Sequence, residues 1–183
     1  GEKNILTNFP SATILRPSIV YSVDDNFTTN FMTLLNRMPF FPIYYNGETK
    51  FMPIHCSDLT DIISYVIENN TNSQIIECVG PETISFKEIL NKLLALIEKK
   101  RALIPSPLFL AKFTAAFFEL FPQPLITQDQ LRLLKYDNVL SKKYKNNSDI
   151  GIPSKRFFEA EVKKYCYMWK DGGQYATEKY QAK

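Results

Sequence analysis

The run Gln74-Ile75-Ile76-Glu77-Cys78-Val79 constrains this chain more than any other feature. It is nearly all apolar, so neither of its faces suits water. The turn pair Gly80-Pro81 closes it. At this length and composition it reads as a strand buried on both sides, the kind found in parallel sheets covered by helices. Upstream, Ala12, Ile14 and the stem of Arg16 alternate against Thr13 and Leu15, which predicts a strand over residues 12–17 ending at Pro17. A second apolar run, Ile19-Val20-Tyr21, follows at once. Residues 2–9 read as the last turns of a helix. A helix tail feeding a buried strand is the middle of an α/β unit, so the sequence is expected to begin partway through a larger one.

Between and beyond these strands the pattern turns helical. Phe27, Phe31, Leu34, Leu35 and Met38 recur at helical spacing and predict a helix over 26–38, stopped by Pro39 and Pro42. Residues 46–50 read as a turn between strand-like 42–45 and 50–55. Ser57 and Asp58 are read as N-caps of an amphipathic helix through Glu68, with Leu59, Ile62, Ile63, Val66 and Ile67 facing inward. Ser85-x-x-Glu88 is a capping box for a helix running to residue 100, whose Lys99-Lys100-Arg101 end complements the helix dipole. Strand-like 102–105 and an apolar helix over 107–121 come next. A second box, Thr127-x-x-Gln130, opens a helix carrying Leu131, Leu133 and Leu134. Ser154 is read as the cap of a last helix through Tyr165, and a polar tail begins at Asp171. The fold class is α/β up to residue 80 and mainly helical beyond.

Composition bounds the function. Apolar residues make up 45% and charged ones 22%, which is globular rather than disordered. A net charge of +3 gives no case for a nucleic-acid partner. The charge is uneven: 11 Lys/Arg face 6 Asp/Glu beyond residue 134, against 11 and 13 before it, so the basic end is either a solvated face or a docking surface. Three cysteines with no C-x-x-C spacing suit a reducing compartment and free thiols near the core. The stretch 107–121 is too short to span a bilayer and contains Lys112 and Glu119. Its phenylalanines, Phe109 to Phe121, exceed one narrow stripe. They are either sandwiched between other helices or laid on a partner or membrane surface.

The ordered set Arg16-Pro17-Ser18-Ile19-Val20-Tyr21, Asp25-Asn26-Phe27, "GETKFMPIHCSDLTDII" and "VGPETISFKEIL" resembles the C-terminal half of extended or atypical short-chain dehydrogenase/reductases. Within them it looks like the dehydrogenase-like accessory subunits of respiratory complex I and their bacterial relatives. The resemblance runs over nearly all of residues 1–170 and implies the C-terminal part of a Rossmann-type doubly wound sheet, plus a smaller, mainly helical substrate or interaction domain. It divides the chain into 1–80, with substrate-domain insertions, 81–170, and a tail of 171–183. It also implies NAD or NADP as cofactor of the full-length form, complex I subunits as partners, and a place in the cytoplasm at the bacterial inner membrane or on the mitochondrial matrix side.

By that resemblance Pro17, Ser18, Ile19 and Val20 run beside the nicotinamide ring, and Tyr21, Lys50 and His55 are candidates for the substrate cleft. The residues alone fit a plain strand end followed by an apolar loop equally well. The family's Gly-rich turn and Tyr-x-x-x-Lys pair are not in place, so no catalytic residue is assigned. Tyr175 and Lys179 have the right spacing but lie in the polar tail, without an apolar helix around them. Two departures weigh against a sugar-processing enzyme. Ile19 stands where many epimerases carry an Asn that hydrogen-bonds substrate, and Ser22 where many relatives carry Gly.

His55 and Cys56 are expected to point to opposite faces of a strand, which excludes a thiolate–imidazole pair. Asp24 and Asp25 read as helix-capping acids, not an acid/base pair. The chain is thus expected to be part of a structural accessory subunit. The alternatives are an NAD(P)-dependent sugar-nucleotide epimerase, dehydratase or reductase in full-length form, or a redox-sensing regulator.

Overall fold

The computed structural model describes residues 1–106 and 134–173. The elements run α1 (Glu2–Asn8), β1 (Ile14–Pro17), β2 (Val20–Tyr21), α2 (Thr28–Arg37), β3 (Phe40–Ile43), a 3-10 turn at Tyr45–Gly47, β4 (Lys50–Phe51) and β5 (Ile54–His55). They continue with α3 (Cys56–Glu68), β6 (Ile75–Cys78), β7 (Ile84–Ser85), α4 (Phe86–Leu96), β8 (Ala102–Pro105), β9 (Lys145–Asn146), α5 (Phe158–Val162) and a 3-10 turn at Cys166–Trp169.

The nearly all-apolar run becomes β6, the middle strand of a parallel sheet ordered β1-β6-β9. Ile14–Pro17 pair in register with Ile75–Cys78, and Ile76–Glu77 with Lys145–Asn146. With neighbours on both edges, Ile76 and Cys78 lose all contact with water. They pack with Ile54 of β5 and Ile62 of α3, and burying each such aliphatic side chain stabilises by about 1.5–3 kcal/mol. Three two-stranded ladders complete the framework: β2 parallel to β5, β3 parallel to β8, and β4 antiparallel to β7. A second and larger cluster joins α2, α4, α5 and β3 around Met32, Leu35, Phe41, Phe86, Leu90 and Phe158. The two clusters do not follow chain order. β9, Ile150 and Ile152 return to the first cluster from well beyond residue 81.

The strand expected over 50–55 is two strands. Pro53 has no N–H to extend a ladder, so the chain changes partner there, from β7 to β2. The capping box at Ser85 forms as read: its hydroxyl accepts from the Glu88 N–H at 3.2 Å and Glu88 returns to the Ser85 N–H at 2.7 Å. The helix it starts is shorter than expected. It ends at Leu96, and Glu98 takes a left-handed backbone at φ 58°. The cationic residues beyond serve other partners. Lys99 pairs with Asp171, while Arg101 donates to the Leu35 and Asn36 carbonyls at 3.1 and 3.2 Å, so it caps the end of α2.

Two other caps differ from the reading. α3 is capped by His55, whose Nδ1 accepts from the Ser57 N–H, and not by Ser57 or Asp58, which lie inside its first turn. Ile63 and Ile67 of α3 are exposed, at 39% and 69%, because only the stripe through Leu59, Ile62 and Val66 meets the sheet. Ser154 does not cap α5. It donates to the Val79 carbonyl at 2.7 Å, and the Glu82 carboxylate accepts from the Phe158 N–H at 2.8 Å in its place.

The expected 107–121 helix, the Thr127–Gln130 box with Leu131 and Leu133, Tyr175 and Lys179 lie outside the described residues. Among the described residues no helix is long and apolar enough to cross a membrane.

Candidate functional site

Because β1, β6 and β9 run parallel, their carboxyl ends share one edge, where open α/β sheets take ligands. β1 leaves that edge through Pro17, which is exposed. Ser18 then turns inward. Its N–H donates to the Cys78 carbonyl at 2.9 Å and its hydroxyl to the Asn138 carbonyl at 3.2 Å. Ile19 accepts from the Ile54 N–H at 2.9 Å, which starts β2. This turn leads Ile19 and Val20 to the lining of a cleft of about 590 Å³, a size suited to a small molecule.

The facing wall is α2. Asp25 anchors its start: one carboxylate oxygen accepts from the Phe27 N–H at 2.8 Å, the other from the Ser22 N–H at 2.9 Å and the Thr28 hydroxyl at 2.6 Å. Asp25 is thus the capping acid read from the sequence. Asn26 and Phe27, just before α2, and Asn30, Phe31 and Leu34 of α2 line the cleft, while Phe41, Phe51 and Phe86 come from β3, β4 and α4. Phe31 meets Phe27, Phe41 and Phe86 edge-on, with ring centroids 5.0, 5.9 and 5.3 Å apart.

The third wall is the segment 134–139, fastened to β4 by backbone bonds. The Asn138 N–H donates to the Lys50 carbonyl at 2.8 Å, the Met52 N–H to the Asn138 carbonyl at 3.2 Å, and the Lys50 N–H to the Asp137 carboxylate at 2.8 Å.

The candidates from the sequence separate. Of the expected cofactor wall, Ile19 and Val20 line the cleft; Pro17 and Ser18 sit on the strand-end edge beside it. Tyr21 does not line it. As the neighbour of Val20 on a strand it points the other way; it is fully buried, its hydroxyl donates to the Arg156 carbonyl at 3.2 Å, and burial raises its pKa. Lys50 is exposed and borders a different, shallow groove with Asn46, Glu48, Ser85 and Lys87.

His55 is packed edge-on against Tyr21, with ring centroids 5.3 Å apart. Its Nε2 lies 3.9 Å from the Glu161 carboxylate, and burial, outweighing Glu161, lowers its pKa. The Cys56 sulfur is 4.0 Å from His55 Nδ1, so the opposite-face expectation fails: β5 ends at His55 and Cys56 already belongs to a helix. The Nδ1 lone pair is nonetheless engaged by the Ser57 N–H at 3.2 Å.

Asp58, read as a cap, is 4% exposed and instead accepts from the Lys155 and Arg156 N–H groups and pairs with the Arg156 guanidinium. All three cysteines are free. Cys78 is buried and its thiol is pushed up to about 11, which makes it inert at neutral pH. Among the described residues no cluster of ligands fits a metal.

The strand-end edge can be tested against a dinucleotide by its donors. Pro17 has none, the Ser18 N–H and hydroxyl are both used, the Val79 N–H goes to the Asn147 side chain at 3.0 Å, and the Gly80 N–H goes to the Met52 carbonyl at 3.0 Å. What these residues fit is the flat apolar flank of a ring. They do not fit a pyrophosphate, which needs N–H groups or cations. The residues that sequence reasoning missed are Phe41, Phe51, Phe86, Asp137 and Asn138. They come from four separate segments, and no local pattern joins them.

No protein-family model matches the chain. It is similar in sequence to the mitochondrial NADH dehydrogenase [ubiquinone] 1 alpha subcomplex subunit 9 of Dictyostelium discoideum, 32% identical over 95 residues, 51% of this chain and 26% of that protein. It is similar also to the NADH-ubiquinone oxidoreductase 40 kDa subunit of Neurospora crassa, 25% identical with 83% of this chain and 40% of that one covered. The chain therefore spans less than half the length of these relatives.

Its fold is that of NAD-dependent epimerases and dehydratases. The UDP-glucose 4-epimerase of Thermus thermophilus in complex with NAD matches with a TM-score of 0.59 at 13% identity, over 92% of this chain and 50% of that one. The dTDP-glucose 4,6-dehydratase of Bacillus anthracis with NAD matches with a TM-score of 0.58 at 12% identity, over 94% and 49%.

Proposed function

We propose that this chain is the C-terminal portion of an NAD(P)-binding, short-chain-dehydrogenase-like accessory subunit of NADH:ubiquinone oxidoreductase, with a structural and assembly role. The observation that carries the reading is the joint likeness: sequence similarity to complex I subunits over most of the chain, on a fold shared with NAD-dependent enzymes. The cofactor would be held mainly by residues outside this chain, and it supplies hydride chemistry when bound. Pro17 to Val20 would flank its ring and exclude water. Their side chains place no acid or base there.

The alternative, a sugar-nucleotide epimerase or dehydratase, is opposed by Ile19. That side chain lines the cleft and packs on the apolar cluster, and it cannot hydrogen-bond a sugar. We place the subunit peripherally at the inner membrane, with the basic C-terminal end assisting attachment.

The test is to tag the full-length protein at its own locus and resolve native membranes. Comigration with assembled complex I is expected, with loss of that assembly when the gene is deleted. Free migration with complex I intact would overturn the reading, and turnover of a nucleotide-linked sugar would favour the alternative. Removing Asp171–Lys183 is expected to weaken the association without unfolding the protein.

A further inference from the structure

Ser141-Lys142-Lys143-Tyr144-Lys145 places three lysines within four residues, all exposed on the turn that leads into β9. Among the described residues none of the three has an acid partner. Elsewhere lysines find one: Lys92 pairs with Glu159, Lys99 with Asp171, Lys164 with Glu161 and Lys170 with Glu98. The exposed Lys87, Lys100 and Lys163 stand singly or beside one of these paired lysines.

The turn is held from beneath. Glu77, 8% exposed in β6, accepts from the Ser141 N–H at 2.9 Å, and the Ser141 hydroxyl accepts from the Lys143 N–H at 3.2 Å. Between them Lys142 takes a left-handed backbone at φ 60°, which a residue with a side chain keeps only where its surroundings fix it. The Arg16 guanidinium lies over the Tyr144 ring, 4.5 Å from its centroid, and is itself neutralised by Glu2. Lys145 is part of β9, paired beside Ile76. The backbone is thus fixed while the three lysine side chains stay in water. Such a turn loses little freedom on docking. Its fixed positive charges are complemented by carboxylates on a partner protein, which they also steer on approach. A polybasic membrane signal takes about four to eight lysines or arginines, which this turn does not reach.

We propose that the turn 141–145 docks the protein onto an acidic, carboxylate-rich surface of a neighbouring protein subunit, with Lys142, Lys143 and Lys145 as the contacts. This docking rests on the complex I reading and puts the attachment on a pinned turn of the fold, apart from the tail beyond Asp171.

The experiment places Lys142→Glu, Lys143→Glu and Lys145→Glu together in the full-length protein, tagged at its own locus, and resolves native membranes. The amount comigrating with complex I is expected to fall at least about tenfold, because the reversed charges meet the partner's carboxylates. Lys142→Gln, Lys143→Gln and Lys145→Gln together remove charge without reversing it and are expected to cause a smaller fall. Reversal at Lys87, Lys100 and Lys163, on and beside α4 and α5, is expected to leave comigration unchanged. Thermal melting checks that each variant is folded. Free migration of the wild type would overturn the complex I reading and this docking with it. Comigration unaffected in the folded Glu and Gln triples, or an equal loss in the control, would overturn the docking alone. So would unchanged comigration together with vesicle binding, to phosphatidylcholine and phosphatidylglycerol, by the wild type and not by the Glu triple; the turn would then be a membrane contact.

Discussion

The Asp58 carboxylate, in the first turn of α3, and the Arg156 guanidinium, 98 residues later, form an ion pair, and the same carboxylate accepts the Lys155 and Arg156 N–H groups. One buried acid thereby fastens the approach to α5 onto the α3–β5 unit.

Asp58→Ala strands two backbone donors and one cation. Arg156 is 35% exposed and can turn to water, so the expected loss is about 2–3 kcal/mol and not the larger cost of a fully buried pair. Urea denaturation checks it. A change within about 0.5 kcal/mol would show that the ion pair contributes little.

Ser85→Ala removes the hydroxyl from the capping box at the start of α4 and is expected to cost about 1 kcal/mol. Glu88 adds a pH dependence. Its hydrogen bonds from Ser85 hold its carboxyl below the ordinary value, so its contribution is full above that value and disappears as pH falls through the lowered one. The variant should therefore lose less than the wild type between neutral and acid pH when the two melts are compared.

His55 gives the complementary dependence in a higher range. The fold prefers the neutral ring, because burial lowers its pKa from 6.5 and Nδ1 must accept from Ser57. The unfolded chain takes up the proton first, so stability is full above 6.5 and declines as pH falls toward the lowered folded value. Glu161, Arg156, Asp58 and Lys164 face the ring and set its size. His55→Asn keeps a side chain able to cap the helix and removes the titration. Melting temperatures from pH 8 to 5 should fall for the wild type beyond the decline seen in the variant. Parallel curves would exclude the histidine as the source.

Gly80→Ala is expected to destabilise by about 3 kcal/mol, at the upper end of overpacking costs. An added Cβ would lie 1.7 Å from the Pro53 carbonyl oxygen, and the Gly80 N–H is bonded to the Met52 carbonyl, which holds the two segments together. Gly151, at φ 84° with nothing within 4 Å, is the control: Gly151→Ala meets only backbone strain, about 1 kcal/mol. Equal losses in the two variants, by thermal or urea melts, would remove the steric explanation for Gly80.

Much of the framework was legible because its signals are local. A nearly all-apolar six-residue run has little solvent face to offer, so 74–79 announced an interior parallel strand; Ser85-x-x-Glu88 contains both halves of its own hydrogen-bond exchange, so it announced a helix start; and Asp25 is within reach of the N–H groups it caps. Where a partner lay far along the chain, the sequence was silent. Asp58 looked like a cap because the cap for α3 came from a histidine and the mate of Asp58 was Arg156. Arg101 looked like the end of its own helix because the carbonyls it binds belong to α2.

The cleft shows the same division. Ile19 and Val20 were found from the motif that surrounds them, and α2 from its helical spacing. Phe41, Phe51, Phe86, Asp137 and Asn138 were brought to them only by tertiary packing. Tyr21 left the site for the core because neighbours on a strand face opposite ways. The sequence by itself determined the elements whose signals are local, among them β1, β6 and the helices α2, α3 and α4, since those rest on periodicity and on hydrogen bonds within a few residues. Only the tertiary structure decided which side chains share a wall, because that depends on strand partners and crossovers between residues tens of positions apart.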